Sequence, residues 1–156
     1  MPLNIISVGQ KAPQWCDLAF KEYHKRLQRF CKLKVTDLPI SAWHKKNNTQ
    51  RAMKEESENV LSHIQPTDFV ITLDERGQSF NSIALAQKIN NWQQNYKNLI
   101  FVIGGPTGHD PSLKEKSNQL WSLSELTFPH RLIKVMLIEQ IYRAFCIQSN
   151  HPYHKE

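Results

Sequence analysis

Three stretches in the last third of the chain have the residue types and spacing that chemistry needs. The apolar run 99–103 passes directly into Gly104-Gly105-Pro106-Thr107-Gly108. Glycines after a strand let backbone N–H groups approach a ligand closely and take up positive φ. Next, Ser122, Ser124 and Thr127 alternate with Leu123, Leu126 and Phe128, a mixture that can hydrogen-bond an adenine or ribose edge while the apolar members hold the ring. Last, the tail Asn150-His151-Pro152-Tyr153-His154-Lys155 offers imidazoles that move a proton near neutral pH, a ring that stacks on a base and a cation for phosphate. Together they suggest a ligand site. Each also has an ordinary use, as a tight turn, a half-buried edge strand or a frayed polar end.

The glycine turn has neither the pitch of G-x-G-x-x-G nor the lysine of a phosphate loop, so a dinucleotide fingerprint and a Walker-type nucleotide site are not indicated. A second turn, Leu73-Asp74-Glu75-Arg76-Gly77, follows another apolar run, and ligands of open α/β sheets settle outside the carboxyl ends of such strands. His130, His151 and His154 are types that bind transition metals. No carboxylate or thiolate lies at a matching spacing, so no metal is expected.

These stretches need a scaffold, and the pattern supplies one. Apolar, β-branched runs at 3–8, 33–38, 69–73 and 99–103 predict strands, with 74–77 as the turn after the third. Apolar residues three to four apart predict helices over 15–30, from Thr49 to about 63, and over 83–92, with a short helix near 112–118. Residues 121–126 fit a last strand or an extended loop. Strands alternating with helices imply α/β architecture, a parallel sheet covered on both faces. The helix at 131–147 is apolar nearly all the way round, which predicts burial of more than one face and a homodimer contact. Residues 41–50 read as a mobile basic loop.

With 156 residues and 40% hydrophobic content, a single domain over 1–156 is the expectation. The net charge of +6 is uneven: residues 1–54 hold 11 Lys and Arg against 3 Asp and Glu, and the remainder 9 against 11. A basic half suits a polyanion such as RNA, though it also suits simple solubility. Three well-separated cysteines without C-x-x-C spacing favour a reducing, cytoplasmic setting over a disulfide framework. No signal h-region and no membrane-length apolar run is seen.

The pieces Ile103-Gly-Gly-Pro-Thr-Gly108, Ser122-Leu-Ser-Glu-Leu-Thr-Phe-Pro-His130, Glu139-Gln-Ile-Tyr-Arg-Ala144 and Asn150-His-Pro-Tyr-His-Lys155, with Val8-Gly9, Trp15 and Glu22-Tyr23 before them, resemble the ribosomal RNA large subunit methyltransferase H family of SPOUT methyltransferases. The resemblance spans essentially the whole chain. It implies a parallel-sheet SPOUT fold with a deep carboxyl-terminal trefoil knot, an active homodimer, and transfer of methyl from S-adenosylmethionine to N3 of a pseudouridine in the helix 69 loop of 23S rRNA on the assembled ribosome. By position it assigns the cofactor pocket to Leu73, Gly104, Leu123, Ser124, Glu125, Leu126, Thr127 and Phe128. For catalysis it points to His154 handling a proton, Arg143 orienting the base or its phosphate, Tyr153 stacking and Glu139 orienting Arg143 from one helical turn earlier. The basic helix around Lys21–Arg29 and the loop at 44–46 would meet rRNA. A non-catalytic RNA- or ribosome-binding module, or another nucleotide-binding α/β enzyme, is the alternative.

Overall fold

Period-two burial sets the strands between two helical layers in the computed structural model, which describes residues 2–9 and 11–155. In β1 (Pro2–Val8), Leu3 and Ile5 join one core cluster while Ile6 and Val8 join the other. β4 (Leu99–Ile103) divides likewise, Leu99, Phe101 and Ile103 against Ile100 and Val102. All five residues of β4 are buried, as a central strand of a sheet covered on both faces requires.

The sheet is parallel throughout, in the order β2-β1-β4-β3-β5, with β2 at Lys32–Leu38, β3 at Phe69–Gln78 and β5 at Gln119–Trp121. Helices α1 (Gln14–Leu27), α3 (Ser82–Asn95) and α5 (His130–Gln148) supply the larger cluster through Phe20, Leu85, Ile89, Leu137 and Ile141. α2 (Thr49–Leu61) and α4 (Pro111–Lys116) close the other face through Val60 and Leu113. Among the described residues no helix is long and apolar enough to cross a membrane.

Several expectations need correction. β3 does not turn at 74–77; it runs on to Gln78 through a bulge, so that both Leu73 and Gln78 stand opposite Trp121. The segment 41–50 is not loose: Ala42–Lys46 forms a 3-10 turn held by buried Glu56, and the cap of α2 is Asn48, not Thr49, its side chain accepting from Arg51 N at 3.1 Å. The last strand ends at Trp121, and 122–126 leave the sheet. The buried residues of α5, which packs on α1 and α3, all lie from Leu137 onward; its first turns are half-buried.

The bulge depends on Gly77, because a Cβ there would lie 2.6 Å from both Leu120 C and Trp121 N, backbone atoms that cannot swing aside. Gly77→Ala is expected to cost about 2 kcal/mol or more and to lower Tm by roughly 4–8 °C, read by thermal denaturation followed by circular dichroism.

Candidate active site

The carboxyl ends of β3, β4 and β5 wall a cavity of about 710 Å³. Of the eight residues assigned to a cofactor, seven line it: Leu73, Gly104, Leu123, Ser124, Leu126, Thr127 and Phe128. Glu125 is exposed and outside the lining. The stretch after β5 curls back on itself because Ser122 Oγ donates to Ser124 O at 3.0 Å and Leu126 N donates to Ser124 Oγ at 3.0 Å. Those two hydroxyls therefore shape the wall as well as facing it. Size, apolar rings and a few fixed polar groups suit a nucleoside-sized ligand. Trp121 Nε1 and His130 Nε2, both in residues that line the cavity, are buried with no partner among the described residues, which leaves polar capacity for a ligand.

Two buried residues that hold the cavity were not among those singled out from the sequence. His109 donates from Nε2 to Leu73 O at 2.8 Å, and a Cβ on Gly104 would collide with its ring. The imidazole thus pins β3 at its bulge to the turn after β4. Glu56 lies under the next glycine: its Oε2 accepts from Ser41 N at 2.7 Å and from His44 Nε2 at 2.8 Å, while Oε1 is 2.6 Å from where a Gly105 Cβ would stand. In sequence Glu56 is indistinguishable from exposed Glu55 and Glu58 on the same helix. His109 carried one weak signal, a titratable ring directly after the glycine turn.

Burial pushes His109 below the ordinary histidine value, against the opposing bond to the Leu73 carbonyl. Burial lowers His130 too, with a bond to the Gly104 carbonyl working the other way. Both rings are therefore neutral at pH 7. On the rim, Asp74 pairs with Lys114 at 3.1 Å. Its burial favours the acid form, but the bonds from Arg76 N and Lys114 outweigh this and lower its pKa.

The residues assigned to catalysis form one hydrogen-bonded cluster elsewhere. Arg143 donates to Glu139 Oε1 from Nε at 3.0 Å and from Nη2 at 2.7 Å, and its Nη1 meets His154 Nδ1 at 3.2 Å. Tyr153 donates its phenol proton to the same Oε1 at 2.9 Å and receives one from Tyr23 at 3.0 Å. The guanidinium lies 4.8 Å from the centre of the Tyr153 ring. Burial opposes the charge on Arg143, but the Glu139 carboxylate more than restores it and raises its pKa. Burial first, then the bonds to Tyr23 and Glu139, push the Tyr153 phenol far up, so it stays protonated and cannot act as a phenolate. Because a guanidinium only donates, His154 Nδ1 accepts, and the neutral ring carries its proton on Nε2.

None of these four residues lines the cavity at the strand ends. Ile133 does, and Arg143 lies ten residues further along α5, a rise of about 15 Å. Between them is a second cavity of about 530 Å³, bordered by Tyr23, Val135 and Glu139 and sharing Trp121 and Leu123 with the first. Within one chain, this cavity and the tail cluster are neighbours rather than one site. Among the described residues no group of three or more His, Cys, Asp or Glu side chains is placed to hold a metal.

A parallel α/β sheet with its cavity at the strands' carboxyl ends has the architecture of an enzyme that binds a nucleoside-bearing cofactor. A family model described as "Predicted SPOUT methyltransferase" matches residues 1–154, and the chain belongs to that family of methyltransferases. SPOUT methyltransferases use S-adenosylmethionine. The chain is similar to the protein named ribosomal RNA large subunit methyltransferase H in Saccharophagus degradans, 42% identical over 155 residues that span 99% of this chain and 100% of the relative. The protein of the same name in Hydrogenovibrio crunogenus is 39% identical over 156 residues, 100% of both chains. That of Francisella philomiragia is 37% identical over 155 residues, 99% and 100% of the two.

Since the folded chain holds His109 below its unfolded value of 6.5, the unfolded state binds protons first as the pH drops. Stability is expected to be full above that value and to decline on acidification through it. His109→Gln should flatten the decline in urea unfolding measured from pH 7.5 to 5.5; an unchanged slope would count against a buried neutral His109.

Proposed function

We propose that this chain, one domain over 1–156, methylates N3 of a pseudouridine in the helix 69 loop of 23S rRNA, on the assembled ribosome in the cytoplasm. The observation that carries the reading is that seven residues assigned by position to the family's donor site, from three separate stretches of sequence, wall a single cavity. The name carried by the full-length relatives supports the rRNA substrate.

S-adenosylmethionine, when bound, supplies a methyl group already made electrophilic by its sulfonium. Leu73, Gly104 and the 123–128 stretch would hold it, the hydroxyls and turn backbone meeting its polar edges and Leu123, Leu126 and Phe128 its ring. The protein's remaining work is to hold the base in line, exclude water and deal with the imide proton. N3–H must leave before or during attack, and its loss puts negative charge on the flanking carbonyl oxygens. Arg143 and the Nε2–H of His154 form a donor pair suited to that charge. For His154 to take the proton itself, its Nδ1 must first be released by Arg143. Glu139 fixes the guanidinium, and Tyr153 presents a ring for the base.

A homodimer would solve the separation of cavity and tail by bringing one chain's carboxyl end to its partner's cavity. The half-buried apolar residues Leu132, Val135 and Met136 of α5, with exposed Trp15 and Leu18 on α1, support such a contact. Membership of the SPOUT family supports the trefoil threading of the carboxyl-terminal part.

Light scattering on the purified chain should give twice the monomer mass. On ribosomes, His154→Ala and Arg143→Ala are each expected to lower methyl transfer by about 100-fold or more, with S-adenosylhomocysteine affinity retained in calorimetry. Full transfer by both variants would sink the catalytic assignment. Mass spectrometry of rRNA nucleosides from cells lacking the protein should show the methylpseudouridine missing.

A further inference from the structure

The strongest feature left unused by this chemistry is the basic segment beside the donor cavity. From Leu38 to Lys54 the chain has no Asp or Glu but carries His44, Lys45, Lys46, Arg51 and Lys54. Half-buried Trp43 lies at its centre, with the Arg51 guanidinium carbon 3.7 Å and Lys46 Nζ 4.8 Å from the centre of its ring system. Among the described residues Lys45, Lys46 and Arg51 form no ion pair, and all three are exposed. At 3.7 Å the guanidinium is in stacking contact with the indole, so its other side is turned to solvent.

The segment is also rigid and well placed. Ser41 Oγ accepts from Trp43 N at 3.1 Å and donates to Glu55, while Ser41 N and His44 are both held by buried Glu56. Asn47 takes the left-handed conformation, at φ 54°, that lets the 3-10 turn pass into α2. Met53, two residues after Arg51, lines the donor cavity, and Glu56 lies under Gly105 of its glycine turn. A stacked cation and two exposed lysines are thereby held on a segment that packs against the cavity's glycine turn through Glu56.

We propose that Trp43 and Arg51 form a stacking platform for an unpaired nucleobase of the RNA substrate, with Lys45 and Lys46 meeting the adjoining phosphates. Trp43 orients the guanidinium, and the guanidinium offers its outer face to the base. Bases splayed from single-stranded loops stack on arginine planes in this way, whereas paired bases in a duplex cannot reach them. The proposal rests on the chain acting on RNA and names the segment that holds a flanking nucleotide.

The test uses the full chain and a fluorescein-labelled, unstructured ten-nucleotide RNA in anisotropy titrations, beside a duplex RNA of the same length. Arg51→Lys, which keeps the charge and loses the plane, and Trp43→Ala are each expected to weaken single-strand binding roughly five- to tenfold. Trp43→Phe should restore most of it, and duplex binding should change less than twofold. Lys46→Gln should reduce the dependence of affinity on salt. Should Trp43→Ala fail to fold, Arg51→Lys still decides. Wild-type single-strand affinity in Arg51→Lys, or an equal loss on duplex, overturns the platform. S-adenosylhomocysteine calorimetry on the unaltered chain reads the methyl-transfer proposal separately: absence of binding overturns that proposal, while the RNA titrations judge the platform.

Discussion

The turn after β4 can lie where it does because residues 104 and 105 have no side chains. The His109 ring occupies the space a Cβ on Gly104 would need, and the Glu56 carboxylate does the same beneath Gly105. Two polar groups from distant parts of the chain are thus packed under a strand-end turn, each carrying a further connection. His109 ties the turn to Leu73, so the ends of β3 and β4 cannot separate without breaking a buried hydrogen bond. Glu56 packs beneath it and holds Ser41 and His44, which anchors the basic segment beside the cavity wall. A buried carboxylate left without those partners would be strongly destabilising, which makes the position of 41–44 a consequence of Glu56 rather than of local preference.

Glu139 has a comparable place at the other end of the long helix. One oxygen collects Arg143 through two N–H groups and the Tyr153 phenol, and through Tyr153 it reaches Tyr23 on α1. The terminal segment is therefore fastened to two helices before any substrate arrives. With Tyr153 kept protonated and Arg143 kept charged, the cluster is a set of donors around one carboxylate, better suited to stabilising negative charge than to removing a proton unaided. The cluster stands apart from the strand-end cavity along α5.

Residue types and periods made much of this legible. The apolar, β-branched runs at 3–8 and 99–103 read as strands of a sheet covered on both faces, and the sheet bears that out. The glycine turn after β4, residues 73–76 of β3 and the serine-threonine stretch converge on one cavity, because ligands collect where parallel strands end. The extent of β3 was not legible: its bulge is settled by the approach of Gly77 to β5, more than forty residues away. Nor was the order of 41–50, whose polar composition gives no hint that a carboxylate from the next helix reaches back to hold it.

By itself the sequence determined the α/β layering, the family and the chemical inventory, since all three follow from local period, motif order and residue type. Only the tertiary structure decided which carboxylate is buried, which histidine is a strut, and that the tail cluster lies along α5 from the cavity rather than in it. Those outcomes depend on contacts between residues far apart in the chain. A lone Glu or His looks the same in sequence whether water or the backbone of a glycine turn lies beside it.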